Sequence, residues 1–511
     1  MNNLIKTILL ISACLCTSAC NDLDLVNPNA PTEESFWKTE ADLYQGLIAT
    51  YDQLQCTFDC GMYGLEMRIM PQLLSDEGTN QTPDPFADVA RFVHDDLNAW
   101  ETMWRGGYIL IGRAYQVIDR APTIEGSEVP RIVGEAKFLV ALGYYNLLTG
   151  FGDRIAYVDR IQKPSDKPLP GNPGELWTLT ETMLQDAITV LPSTIPEAEY
   201  GRATKGAAQA LLAKVHLQQG DYSAAEPLLA AVINGGVYSL LNDYTDNFRE
   251  TNSVNPESIF QVNFLHNGVT GESDNSAHFK LNATSETQGH YGDVQADNFV
   301  LASLLTEKDK EGNQDLRTDA TIFWEGSSLV LNGLTYAEWI EASPPFNPAV
   351  STSYYKYSES EFIGNREATL RDGGIDYIVI RYADILLLYA ETLNQLGKTQ
   401  EAYPYVDQVR TRSNMRPLSE IASDLSQADF HQQIKHERLT ELAGEGVRWW
   451  DLKRWGDYGP TIANDFTIPA LRTTLPRDPN FSSFTLGQDE LWAIPQSELD
   501  LNENLVQNPG Y

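Results

Sequence analysis

Two stretches of the chain repeat one helical grammar, and that repetition limits the fold more than any other feature. The first, "ALLAKVHLQQGDYSAAEPLLAAVI", runs from Ala210 to Ile233, and the second, "LLLYAETLNQLGKTQEAYPYVDQVR", from Leu386 to Arg410. Gly220, Ala225 and Val232 in the first have the same spacing as Gly397, Ala402 and Val409 in the second. A glycine past the end of a helix supplies the left-handed residue that stops it, and a small alanine lets the next helix approach closely. Each stretch therefore reads as a helix, a tight turn and a second helix.

This is the tetratricopeptide pattern. The copies are far apart in the chain, so they are not one tandem array. Other segments are helical by apolar spacing: "TEADLYQGLIATYDQL" through Leu43, Leu47, Ile48 and Tyr51, "EAKFLVALGYYNLLTGFGD" (Glu135 to Asp153), and "ELWTLTETMLQDAITVLP", which ends near Pro192. From about Asn252 to Gly374 the texture changes to Asn, Ser, Gly, Thr and aromatics, with short strand-like pieces such as "SIFQVNF". A long irregular region inside a compact protein is usually functional or disordered, and the density of Tyr and Trp argues against disorder. The expected fold class is mainly α: tetratricopeptide-type helical pairs as a scaffold, with a loop-rich insert that contains short β-strands.

The first residues predict an address. Lys6, the apolar run Ile8 to Leu15 and the small residues before Cys20 describe a secretory signal, and the run is too short to span a bilayer. A cysteine directly after small residues predicts a lipoprotein signal with Cys20 acylated, although Thr17 stands at position −3 where leucine is usual. The expected boundaries are 1–19 for the signal, 20–36 for a flexible tether, 37–251 for an N-terminal helical part and 252–511 for a C-terminal part with the insert at about 252–374. With 71 acidic against 36 basic residues and a net charge of −35, the chain is a poor partner for nucleic acid or anionic headgroups. Cys56 and Cys60 are a disulfide candidate, because a pair in an exported chain is more often bridged than free. As a metal clip they lack a second Cys or His pair.

Signatures of catalysis are absent from the sequence: no G-x-S-x-G elbow, no H-E-x-x-H, no phosphate loop, no dinucleotide fingerprint. His431 and His436 do not share a helical face. "EKDKEGNQD" sets Glu307, Asp309 and Glu311 before Gly312 like the start of a calcium loop, but the twelfth position is Thr318, which cannot supply a bidentate carboxylate. No metal and no cofactor are expected. A pair of glycosidase carboxylates stays open, since sequence fixes no separation between acids. In "HERLTELAGEGVRWWDLKRWGDYG" (His436 to Gly459), Arg438, Glu441, Glu445, Arg448, Asp451 and Arg454 alternate in sign among three tryptophans, which predicts a partly buried ion-pair network.

That stretch resembles the "ER-x-E-L-x-x-E-G-x-R-W-W-D-L-K-R-W" segment of the SusD/RagB family. "IRYADILLLYAETLNQLG" is similar to its core helix, "WAIPQSELDLNENLVQNPGY" to its C-terminal ending, and "EAKFLVALGYYNLLTGFGD" and "NPNAPTEESFWKTEADLYQGLIATYD" match as well. Ala443-Gly444 departs from the pattern, where an aromatic is common. The resemblance implies a non-enzymatic, glycan-binding lipoprotein of the outer-membrane surface that acts as a lid over a SusC-type TonB-dependent transporter. Some relatives serve peptide uptake, so a peptide ligand is a variant, and a surface glycoside hydrolase is the rival from another class.

A sugar presents apolar C–H faces and hydroxyl rims, so its site needs flat aromatics and Asn, Asp, Glu or Arg. Two regions offer both. Asp76, Glu77 and Asn98 with Trp100 form the first, and by resemblance the corresponding loops supply part of the glycan site. His290, Tyr291, Trp324, Tyr354 and Tyr355 in the insert form the second. Trp104 stands at a helical interval from Trp100 and Tyr108 and reads as core.

Overall fold

The computed structural model describes residues 36–55, 62–80, 85–93, 98–163, 165–265, 294–330, 333–342, 352–357, 374–468, 473–475 and 478–511. The principal helices are α1 (Glu40–Gln55), α2 (Glu66–Leu73), α3 (Asn98–Arg120), α4 (Val129–Phe151), α5 (Glu175–Val190), α6 (Lys205–Gln218), α7 (Tyr222–Asn234), α8 (Tyr382–Gln395), α9 (Thr399–Arg412), α10 (Gln427–Leu442) and α11 (Arg448–Arg454). The short strands used below are β1 (Gly78–Thr79), β2 (Ser258–Val262), β3 (Gln295–Ala296), β4 (Ile322–Phe323), β5 (Ser353–Tyr354) and β6 (Tyr377–Arg381). The fold is mainly α, as expected. No helix among the described residues is long and apolar enough to cross a membrane.

Helices α3 to α7 stack in sequence order, each on the next. The stack then jumps: α7 packs on α8, and α8 on α9 and α10. The two helical pairs that lie far apart in sequence are therefore neighbours in space, which the reading of separate pairs did not foresee. The physical reason is that one repeat cannot bury its apolar face alone. Ala225, Leu229 and Val232 of α7 are buried, and α8, enclosed by α7, α9 and α10, is buried along nearly its whole length. The turns are as predicted. Gly220 (φ +74°) and Gly397 (φ +77°) are left-handed caps, and Ala225 and Ala402 are fully buried behind them. Thr204 and Asp221 cap α6 and α7 by accepting from the N–H groups of Ala207 and Ala224.

The chain between α7 and α8 leaves through β2 and returns through β6, and these two strands pair antiparallel. Beyond that neck, β1 pairs with β3 and β4 with β5. The insert carries its own small core of Phe323 and Trp339, with Leu329, Leu334, Tyr336, Ile340 and Tyr355 packed around it.

The alternating charges after His436 form a network that ties α6, α8, α10 and α11 together. Arg438 pairs with Asp384 (2.8 Å) and Asp451 (2.7 Å), Asp384 also holds Lys214 (2.8 Å), and Arg454 pairs with Asp451 (2.9 Å) and Glu391. Burial pushes the Glu391 carboxyl up, but the Arg454 guanidinium beside it outweighs burial and brings it down to about 2.

Candidate functional site

Four distant segments converge at Glu77. Its backbone carbonyl accepts from the Asp297 N–H (3.0 Å) and from the Tyr354 hydroxyl (2.7 Å), and its carboxyl accepts from the Gly444 N–H (3.4 Å). Next to it, Asp76 accepts two bonds of 2.7 Å from the guanidinium of Arg448. Gly444 has φ +79°, and a Cβ there would meet the Tyr354 ring at 2.9 Å. The Tyr354 ring of the insert thus takes the space that a side chain at 444 would need.

Asp76, Glu77 and Tyr354 are brought together, but at 1%, 0% and 1% exposure they are a floor rather than a binding surface. Burial, with Asp76 close by, pushes the Glu77 carboxyl up to about 8, and burial pushes Asp297 up to about 8. Both shifts favour the neutral acid, and Glu77 Oε1 has no hydrogen-bond partner among the described residues.

Trp100 is corrected from platform to core. It is 4% exposed, and its ring lies 5.1 Å from Trp492, which stacks on Trp449 at 5.0 Å. Trp100, Trp104 and Tyr108 recur at one helical interval on α3, so the argument that made Trp104 core applies to all three. Tyr354, also a candidate contact, is corrected in the same way: its ring is covered and its hydroxyl spent on Glu77. The side chain of Asn98 lies outside the described residues, as do His290, Tyr291, Cys20, Cys56 and Cys60.

Trp324 and Tyr355 are half-buried. The Trp324 indole N–H donates to Asp319 Oδ1 (3.1 Å), and Asp319 Oδ2 accepts from the Ser328 hydroxyl (2.9 Å). Gly326 lies against the ring so closely that a Cβ would stand 2.2 Å from it. The ring is thus fixed before any ligand arrives. Trp324 packs on the main core and Tyr355 on the insert's small core, so the two rings belong to different faces of the β4–β5 ribbon. Half-buried Tyr336, whose ring centroid is 5.5 Å from that of Phe323, joins Tyr355 on the small core. The sequence reading missed it; its place one turn before Trp339 on a short helix was the available signal.

The calcium-like loop is occupied by the protein's own groups. Glu307 pairs with Arg410 (2.8 Å), and Asp309 accepts from the N–H groups of Glu311 (3.0 Å) and Asn313 (2.7 Å). Among the described residues no group of three His, Cys, Asp or Glu side chains is placed to hold a metal ion.

Two family models match the chain. The SusD family model covers residues 256–511, and a model described as starch-binding associating with outer membrane covers 74–217. SusD-like protein P2 of Formosa agariphila is 28% identical over 513 residues, covering 96% of this chain and 97% of its own length. A SusD superfamily protein from Bacteroides vulgatus superposes with a TM-score of 0.79 at 22% identity, over 93% of this chain and 100% of the other. A laminarin-binding SusD-like protein does so with a TM-score of 0.74 at 25% identity, again over 93% and 100%. With a model match over half its length and this fold along nearly all of it, the chain belongs to the SusD family.

Proposed function

We propose that the protein captures an oligosaccharide at the outer-membrane surface and delivers it, without cleaving it, to a SusC-type TonB-dependent transporter. In this reading Cys20 carries the lipid anchor, and residues 20–36 are the slack that lets the body move as a lid. The observation that carries the reading is the half-buried aromatic set of the insert. Trp324 is held rigid by Asp319 and Gly326, and Tyr336 and Tyr355 are seated on a core of their own. Rigid aromatic rings at the surface are what C–H faces of sugars stack on, and fixing partly exposed rings beforehand lowers the cost of binding. Two further facts support capture over hydrolysis. Asp76 is committed to Arg448, and Glu77 is fully covered at 0% exposure, so neither carboxyl at the floor reaches a glycosidic bond at the surface. Laminarin binding in one relative favours a glycan over a peptide.

Calorimetry on the detergent-purified full chain with laminarihexaose, maltohexaose and a mixed-sequence peptide pool tests the proposal. Binding of a glycan that is recovered uncut after overnight incubation is the expected result. Cleavage of the glycan, or binding of peptide with no glycan bound, would overturn it.

A further inference from the structure

The helical scaffold carries a large cleft that none of the candidate glycan residues touches. It is open to solvent and offers about 1010 Å³ between the segment after α7, helix α9 and the turn that follows it, with Tyr238, Asn242, Tyr403, Gln408, Thr411 and Ser423 in its walls. That volume is at the top of the range for small-molecule sites, about 300–1,000 Å³. A second cavity of about 270 Å³ adjoins it, and Tyr238 lines both.

Tyr238 is held firmly. Its hydroxyl is 2.8 Å from Thr204 Oγ1, and a Cβ on Gly206 would approach that hydroxyl to 2.6 Å. The ring is a fixed partition between the two cavities. Tyr382 and Tyr403, at 7% and 3% exposure, give the cleft an aromatic base.

The chemistry of the walls selects among ligands. The charged groups are already consumed: Arg412 turns inward to Glu257 and Glu441, and Asp407 accepts both the N–H and the hydroxyl of Ser419. An anionic chain would find no free cation in the cleft, and the net charge of −35 opposes it further. An extended peptide is held chiefly by backbone pairing along a strand edge. The N–H groups of Ser239 and Leu241 are taken by Pro256 and Glu257, so on that side of the segment these two donors are spent. What the cleft offers are the exposed side chains of Asn242, Thr411 and Ser423 beside fixed tyrosines. Amides and hydroxyls around a locked aromatic ring suit an uncharged, polyhydroxylated chain.

We infer that this cleft is a second subsite for a neutral glycan, on the scaffold and separate from the aromatic loops of the insert. The inference rests on the glycan-capture reading, and the test separates the two. Three proteins are compared by calorimetry and by hydrogen–deuterium exchange with laminarihexaose and maltohexaose: wild type, the loop variant Trp324→Ala/Tyr355→Ala, and a cleft variant Gln408→Arg/Ser423→Arg. The cleft changes are at exposed positions and fill the space without touching the core. Because Tyr238→Ala could disturb Thr204 and Gly206, it is used only as a confirmatory variant with its melting temperature measured. The expected result is residual binding in the loop variant, weakened at least tenfold, with slowed exchange confined to 238–242 and 400–411. The cleft variant should lose that protection and keep the loop event. A loop variant with no binding and no slowed exchange in the cleft, while wild type binds, overturns the second subsite and leaves glycan capture standing. Wild type that binds no glycan overturns both readings. Peptide-induced protection of 238–242 without glycan protection overturns the ligand class.

Discussion

Arg381, the last residue of β6, is the cation on which the neck of the insert, α10 and the turn after it all close. It is 1% exposed and reaches Glu257 (2.8 Å), Glu441 (2.7 Å) and Glu445 (2.7 Å). A further bond of 2.8 Å goes to the Glu441 carbonyl. Arg381→Met keeps much of the stem's bulk and removes all of these bonds. The three carboxylates keep partial company: Arg412 beside Glu257 and Glu441, Arg317 beside Glu441, Lys356 beside Glu445. Removing one partner of a buried pair costs about 3–5 kcal/mol. Three acids lose a partner at once but none is left alone, so the expected loss stays within that range, about 4 kcal/mol at pH 7. Urea unfolding followed by circular dichroism measures it. The pH dependence is a second constraint. Burial pushes the Glu441 carboxyl up, yet Arg412, Arg381 and Arg317 hold it far below its ordinary range. A depressed carboxyl contributes stability above its unfolded pKa and loses it as pH falls through the folded value. Without Arg381 part of that contribution is already gone, so the gap between wild type and variant should narrow as pH falls below about 4. As a control, Arg113→Met breaks an exposed pair with Asp52 (41% and 52% exposed) and should cost less than about 1 kcal/mol. A loss below 1 kcal/mol for Arg381→Met, or a gap that widens toward acid, would refute the reasoning.

Three other outcomes follow from the structure. Trp100→Ala should destabilise the chain by about 3–5 kcal/mol while the folded fraction keeps its glycan affinity, as a core tryptophan requires; thermal unfolding and calorimetry read the two effects. Glu77→Gln should gain on wild type as pH rises. The folded pKa of about 8 lies above the ordinary carboxyl value, so wild-type stability erodes between about 4.5 and 8 and levels off beyond; a difference independent of pH would contradict a buried neutral acid. Cys20→Ser should release the protein from the membrane fraction, because buried acyl chains contribute about 0.8 kcal/mol per CH₂; retention in cells lacking the transporter would place the anchor elsewhere.

The parts of the fold that depend on local spacing were legible in the sequence. Gly220 and Gly397 could be read as caps because only a left-handed turn explains glycine followed by buried alanine at one interval. Pro227 and Pro404, at matching places in α7 and α9, extend the repeat and went unread. The contact of α7 with α8 was not legible, since it depends on a long insert closing its own neck. The network after His436 showed in its alternating signs, but Asp384, Glu391 and Arg381 answer it from other helices and strands. At the site, Trp100 was misassigned because a polar neighbourhood in sequence, Asp96 to Asn98, outweighed the helical interval to Trp104. Trp324 and Tyr355 were singled out by composition, and nothing in sequence showed that they belong to opposite faces of one ribbon.

The β2–β6 pairing has a consequence for how the insert can change in length. The two strands clamp the ends of the insert at fixed positions, with Ser258 opposite Arg381 and Val262 opposite Tyr377. Chain beyond the clamp is then a closed loop whose ends the scaffold has already joined. The entropy of closing such a loop grows only with the logarithm of its length, about 0.6 kcal/mol for each doubling. That small cost applies to length changes in stretches of the insert that make no contact with the scaffold; changes that disturb Tyr354, Arg317 or Lys356 would also lose their bonds to Glu77, Glu441 and Glu445. The helices and the clamp fix where the looped-out chain begins and ends, so surface stretches of the insert can change in length while the stack and the bonds to Glu77, Glu441 and Glu445 stay in place.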